Sequence, residues 1–173
     1  MPTRLPEFID PRRLARAGEA LEGRLTTAGM ARLTALIEGT DWAEIALRFG
    51  LDEDNLPSLE GEAQVAGRMQ CQRCLEAMPI TLHAVIRVTV RRPSEPPESA
   101  VGGSEAGPAA GSEWLEVEDG PISLAWLIED ELLLAVPEFP AHETCAPPGE
   151  WAPDETGAER DSPFSVLRAL KRN

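Results

Sequence analysis

Three cysteines and two histidines are the side chains of this chain best suited to bond-making chemistry, and four of the five fall into two matching pairs. Cys71-Gln-Arg-Cys74 and His142-Glu-Thr-Cys145 each hold two ligand atoms two residues apart. Together they make a Cys3His set, the donor type and number that a closed, tetrahedral structural zinc site takes. The competing reading is a pair of free thiols and an unrelated His-Cys. A C-x-x-C also serves thiol exchange, but there it opens a helix, whose N-terminus lowers the pKa of the first thiol. Strand-like sequence flanks Cys71 and Cys74, so a redox protein built on them is the second functional reading. His83 shares an alternating polar face with Thr81 and Arg87 and reads as a solvated side chain.

Hydrolytic chemistry finds no footing. The sequence has no G-x-S-x-G, no phosphate loop and no H-E-x-x-H. Glu129, Asp130 and Glu131 are consecutive, and consecutive helical residues face different directions and cannot converge on one substrate. The expectation is a protein that is not an enzyme and has no small-molecule substrate.

The elements that must position the two pairs follow from hydrophobic period. Ahead of Cys71, Ala63, Val65, Gly67 and Met69 share one face and Glu62, Gln64, Arg68 and Gln70 the other. Behind Cys74, Ile80, Leu82, Ala84, Ile86, Val88 and Val90 alternate with Thr81, His83, Arg87, Thr89 and Arg91. Period two predicts strands. Their closeness in sequence predicts an antiparallel hairpin over roughly 57–91 with the thiols at its tip. Upstream, Asp10-Pro11 predicts a helix over 11–17, and residues 21–25 and 43–49 alternate as strands. Between those strands, Thr27 is the expected N-cap of a helix carrying Met30, Leu33, Leu36 and Ile37 and stopping at Gly39. Asp52 to Asn55 makes a turn.

Residues 93–113 hold hardly any bulky apolar side chain, which predicts a disordered loop. Trp114, Leu115 and Val117 then predict a short strand. Ser123 caps a helix through about Ala135, with Leu124, Leu127, Ile128, Leu132, Leu134 and Ala135 on one face and Trp126 and Leu133 opposite. Apolar on both sides, that helix is expected at the centre of the fold. Glu131 falls within its main apolar stripe, where a carboxylate is costly unless paired; an internal arginine or another molecule would answer it. Residues 146–161 read as irregular, and Ser162-Pro163 starts a short helix that needs something to dock on. The expected whole is one α+β domain over 1–173, with a mostly antiparallel sheet, a long hairpin carrying the C-x-x-C, a central helix and short terminal helices.

The net charge of −14 is uneven. Residues 1–92 are nearly balanced, whereas residues 93–173 carry seventeen acidic and four basic side chains. That half repels a nucleic-acid backbone and suits a basic protein partner, unless the acid serves solubility alone. Glu129, Asp130 and Glu131 are its candidate contacts. Arg73, Arg91 and Arg92, with Arg68 and Arg87 along the hairpin, leave a local RNA contact open. No apolar run is long enough to span a membrane, and the N-terminus lacks a signal-peptide pattern, so a cytoplasmic location with reduced thiols is expected.

In this order the motifs resemble the bacterial YceD family of large ribosomal RNA subunit accumulation proteins. The residues that carry the resemblance are Leu5-Pro6, Asp10-Pro11, the Cys71 to Cys74 motif and Ile122-Ser-Leu. Glu129 through Pro137, His142 with Cys145, and Pro163 through Arg172 complete it. The resemblance implies a non-catalytic role in large ribosomal subunit biogenesis, supporting accumulation of large-subunit (23S) rRNA. Combined with the charge map, it points to a ribosomal protein or assembly factor of the large subunit as partner.

Overall fold

The computed structural model describes residues 3–93 and 113–148. The element order is β1 (Phe8–Ile9), α1 (Pro11–Ala17), β2 (Ala20–Thr26), a 3-10 turn (Thr27–Gly29), α2 (Ala31–Leu36), β3 (Trp42–Leu51), β4 (Pro57–Gln70), β5 (Ala77–Arg91), β6 (Glu113–Glu116), β7 (Ile122–Ser123) and α3 (Leu124–Leu134). The expected loop at 93–113 and irregular segment at 146–161 lie largely outside the described residues, and the helix expected after Pro163 lies wholly outside them.

Five strands form one sheet in the order β2-β3-β4-β5-β6, antiparallel except for the parallel β5–β6 pair; β1 and β7 make a separate antiparallel pair. The fold is α+β with a mostly antiparallel sheet. Alternation decides its two faces. Ala43, Ile45, Leu47 and Phe49 on β3, Leu59, Ala63 and Val65 on β4, and Leu82, Ala84, Ile86, Val88 and Val90 on β5 are buried on one side. Glu44, Glu60, Glu62, Gln64, His83 and Arg87 stand on the open side. Met30, Leu33 and Ile37 from the α2 region and Leu124, Leu127, Ile128 and Leu132 from α3 complete the core against the first face. Burying each such side chain stabilises by about 1.5–3 kcal/mol.

The local signals for α1 act as expected: the Asp10 carboxylate accepts from the Arg13 amide at 3.0 Å, and Gly18 ends the helix in the left-handed conformation. Between β2 and β3 the expectation of one helix capped by Thr27 is corrected. Thr26 accepts from the Ala28 amide, and the buried Thr27 hydroxyl instead donates to the Thr40 carbonyl at 2.8 Å. The chain makes a 3-10 turn, and α2 starts only at Ala31, behind Met30, which has no side-chain cap to offer.

α3 starts where Ser123 predicts, its hydroxyl accepting from the Trp126 amide at 3.3 Å. Its polar placement differs from the expected one. Glu129, not Glu131, is the buried carboxylate, at 5% exposure, and Leu134, expected on the buried face, is 75% exposed. Helix period locates the stripe, but α2 packs against one flank of α3 and covers Glu129, while Glu131 sits in a part-open recess with Val85, Arg87, Val88 and Glu113. Among the described residues no helix is long and apolar enough to cross a membrane.

Candidate metal centre

The hairpin of β4 and β5 runs in unbroken register from Ser58↔Thr89 to Gln70↔Ala77, so its tip is residues 71–76. The tip folds back on itself: the Cys71 amide donates to the Glu76 carbonyl at 2.8 Å, and the Leu75 amide donates to the Cys71 carbonyl at 2.9 Å. Leu75 adopts φ 64, a left-handed conformation normally left to glycine that costs a non-glycine residue about 1–2 kcal/mol. With no glycine after Cys74, Leu75 accepts that strain so that both thiols turn to the same side. The Arg73 amide donates to Cys71 Sγ at 3.4 Å, as a tight C-x-x-C turn requires.

The segment after α3 returns to this tip. The Gln72 amide donates to the Pro140 carbonyl at 2.8 Å, and its side-chain amide donates to the Glu138 carbonyl at 3.3 Å. His142 and Cys145 are thereby carried over the hairpin. Cys71 Sγ lies 3.7 Å from Cys145 Sγ, and Cys74 Sγ lies 3.3 Å from His142 Nδ1. Ligand atoms of all four residues lie within 4.8 Å of one another. Metal–donor bonds of about 2.0–2.3 Å in a tetrahedron place donors roughly 3.3–3.8 Å apart. The Cys3His group can hold a metal ion. Cys71 is fully buried, while Cys74, His142 and Cys145 are half-buried.

The environment favours thiolate at Cys71. Burial opposes the charge, but the backbone amides of Cys74, His142 and Arg73 and the Cys74 thiol outweigh it and bring the Cys71 pKa down to about 5. At Cys74 the Glu76 amide pulls the thiol down, yet burial and the neighbouring Cys71 and Cys145 groups carry it up. This is the pattern of thiols sharing one site, where the first charge makes the second harder. Arg73 faces the same site: its Nε donates to Cys145 Sγ at 2.9 Å and its Nη2 to the His142 carbonyl at 2.6 Å.

The other candidate residues are placed as follows. Glu129 is held inside the fold, Oε1 accepting from the Arg32 and Leu33 amides at 2.7 and 3.1 Å and Oε2 from the Arg32 guanidinium at 3.0 and 2.8 Å. It caps α2 from ninety-seven residues away, and is not turned toward a partner. Burial opposes its charge, but the Leu33 amide and Arg32 hold its carboxyl below the ordinary value. Asp130 takes the outer side of the same guanidinium at 2.6 Å. Burial, with Glu113 and Asp130 nearby, pushes Glu131 up. Arg91 lies over the Trp114 ring and pairs with Glu116. Arg92 pairs with Asp119, which Arg12 also approaches at 3.5 Å. Thus Arg73, Arg91 and Arg92 all have partners within the chain, whereas Arg68 and Arg87 are exposed. His83 meets Glu62 at 3.1 Å on the open face of the sheet.

Sequence reasoning missed the roles of Gln72 and Arg73, although both sit between the two cysteines. It also missed the Arg32–Glu129 pair, for which no local signal exists.

Residues 59–171, a span that contains all four donors, match the family model described as large ribosomal RNA subunit accumulation protein YceD. A relative bearing that same name, from Haemophilus influenzae, is 27% identical over 177 residues, covering 98% of this chain and 97% of its own. No solved structure matches the chain. With nearly all of the hairpin, the thiol turn and the segment after α3 inside a matched span of more than half the chain, the chain belongs to the YceD family of large ribosomal RNA subunit accumulation proteins.

Proposed function

We propose that the chain is a non-catalytic cytoplasmic factor of large ribosomal subunit biogenesis, supporting accumulation of 23S rRNA through a basic protein partner. A structural zinc ion at Cys71, Cys74, His142 and Cys145 ties the hairpin tip to the segment after α3. The name of the Haemophilus influenzae relative, matched over almost the full length of both chains, supports the ribosomal part. The observation that supports the non-catalytic part is that, among the described residues, the cluster of Cys71, Cys74, His142 and Cys145 closes on itself. Four ligand atoms lie within 4.8 Å of one another, and a tetrahedral ion held by all four would leave no position for substrate. Charge supports zinc as well. A dication, three thiolates and the adjoining Arg73 guanidinium sum to zero, so such a site adds no net charge to a part-buried place.

Thiol redox is the weaker reading. The low pKa of Cys71 suits it, but a nucleophilic thiol must be reached, and Cys71 is fully buried at the end of a strand. Depleting the protein tests the function directly. The level of 23S rRNA should fall relative to 16S rRNA, and a Cys71→Ser chain should not restore it. An unchanged ratio on depletion overturns the ribosomal reading. Thiols at Cys71 and Cys74 that stay reduced across the range of cytosolic potentials exclude the redox one.

A further inference from the structure

A basic partner needs a surface, and on α3 both Glu129 and Asp130 are already paired with Arg32. The end of the molecule that carries the four donors is better suited. There Leu75 is 53% exposed and Phe139 79% exposed. Gln72, Arg73, Leu75, Pro147 and Pro148 line a shallow groove of about 400 Å³. The backbone at Phe139 passes close to it, since Gln72 bonds the carbonyls of the residues before and after, Glu138 and Pro140. Neither apolar side chain contributes to the core, so folding alone gives no reason for two large exposed hydrophobic groups on these adjoining loops.

Carboxylates outnumber cations on the two loops that build this groove. Glu76, Glu138 and Glu143 are exposed on the same two loops. The one cation among the lining residues, Arg73, is turned to Cys145 Sγ and to the carbonyls of His142 and Glu143. These two loops thus form a net negative rim on either side of the apolar Leu75, Pro147 and Pro148. Phosphate groups are repelled by such a rim, whereas a cationic protein segment is attracted to it.

We propose that this groove is the docking site for a cationic segment of a protein partner. The segment lays one large apolar side chain against Leu75 and Phe139 and sets lysines or arginines against Glu76, Glu138 and Glu143. This rests on the reading above that the chain works through a basic protein, and it specifies where and by what chemistry. The metal-centre loops have a second use here, because the same two segments that bring four donors together also build both walls of the groove.

The full chain can be tested by fluorescence anisotropy with a short labelled peptide of lysines flanking one phenylalanine. Leu75→Ser with Phe139→Ser should weaken binding about tenfold or more, as loss of a central apolar anchor does. Melting temperature and metal content should stay unchanged, because both side chains are exposed. Glu138→Gln with Glu143→Gln should weaken binding and flatten its salt dependence. A peptide with serine in place of phenylalanine should bind as weakly as the double serine variant does. Equal binding by that variant, or by the serine peptide, overturns the proposal. A rise in affinity after Phe164→Ser with Leu167→Ser would assign the groove to the chain's own tail instead. Binding of an rRNA fragment that is lost in the Leu75→Ser, Phe139→Ser chain would assign it to nucleic acid. In cells where depletion lowers 23S rRNA, normal rRNA with that variant overturns the docking site and leaves the proposed function standing. If depletion itself leaves rRNA normal, the function falls, and the peptide measurement decides the groove alone.

Discussion

Single side chains decide two questions here, what closes the thiol site and what closes the gap between α2 and α3. For the first, protein purified without chelator should carry close to one zinc per chain by elemental analysis. Cys71→Ser should lose the metal and lower the melting temperature, because binding at such a site is folding free energy. For the second, Glu129 and Glu131 lie two residues apart and should respond with opposite sign. Glu129 has a folded pKa below its ordinary value, so its stabilisation is present above about pH 4.3 and is lost as pH falls through the depressed value. Glu129→Gln keeps the shape but removes the charge facing two amides and a guanidinium. It should cost about 1–3 kcal/mol in denaturant unfolding at pH 7, the half-exposed Arg32 limiting the loss. The variant should also show a flatter stability profile below pH 5. Glu131 has a folded pKa pushed up, so its ionised form works against the fold at neutral pH. Glu131→Gln should therefore raise the melting temperature at pH 7 and leave it little changed at low pH. If both variants destabilise equally at pH 7, the assignment of the buried carboxylate is wrong.

At the scale of elements, the long β4–β5 hairpin carries the candidate metal centre at its tip, and Gly67 fixes how the rest of the fold meets it. Residues 37–39 cross β4 there, with the Glu38 amide donating to the Arg68 carbonyl at 2.8 Å and the Arg68 amide returning a bond at 2.9 Å. A Cβ at Gly67 would collide with Ile37 Cγ2 and stand 2.8 Å from the Glu38 carbonyl oxygen. Glycine is needed at this position for close approach. Gly67→Val should therefore push the α2–β3 connection off the strand and cost about 1–3 kcal/mol, as overpacking does. Hydrogen exchange should localise the added opening to residues 37–39 and 66–69. A variant as stable as the parent would show that the crossing is not a fixed contact. The alternation of 57–91 announces the hairpin itself, because one buried face imposes period two along the whole ladder. The break between the 3-10 turn and α2 is not announced. Thr26 and Thr27 are equally good caps in sequence, and only the packing that drives the Thr27 side chain inward separates them.

For the whole molecule, the charge map sets how the chain should meet its partner. An acidic protein should associate with a basic one quickly and lose that association as salt rises. Capture of the partner from cells should accordingly survive nuclease treatment and weaken with ionic strength; loss of all captured protein on nuclease would point to RNA as the bridge. The sequence by itself determined the five strands of the main sheet, α1, the start of α3 and the four candidate donors, because each rests on local period, a local cap or the rarity of cysteine and histidine, whereas the short β1–β7 pair carries no such signal. That two C-x-x-C-like pairs almost seventy residues apart converge was readable only as a matching spacing. The tertiary structure brought their atoms within 4.8 Å, through Gln72 bonding two carbonyls of the returning segment. It alone decided that Glu129 rather than Glu131 is buried, that Leu134 is exposed, and that Arg73 faces a thiol. A helical wheel reports which face of α3 is apolar but not which flank α2 will cover, and a residue's charge does not reveal which neighbour, far along the chain, will neutralise it.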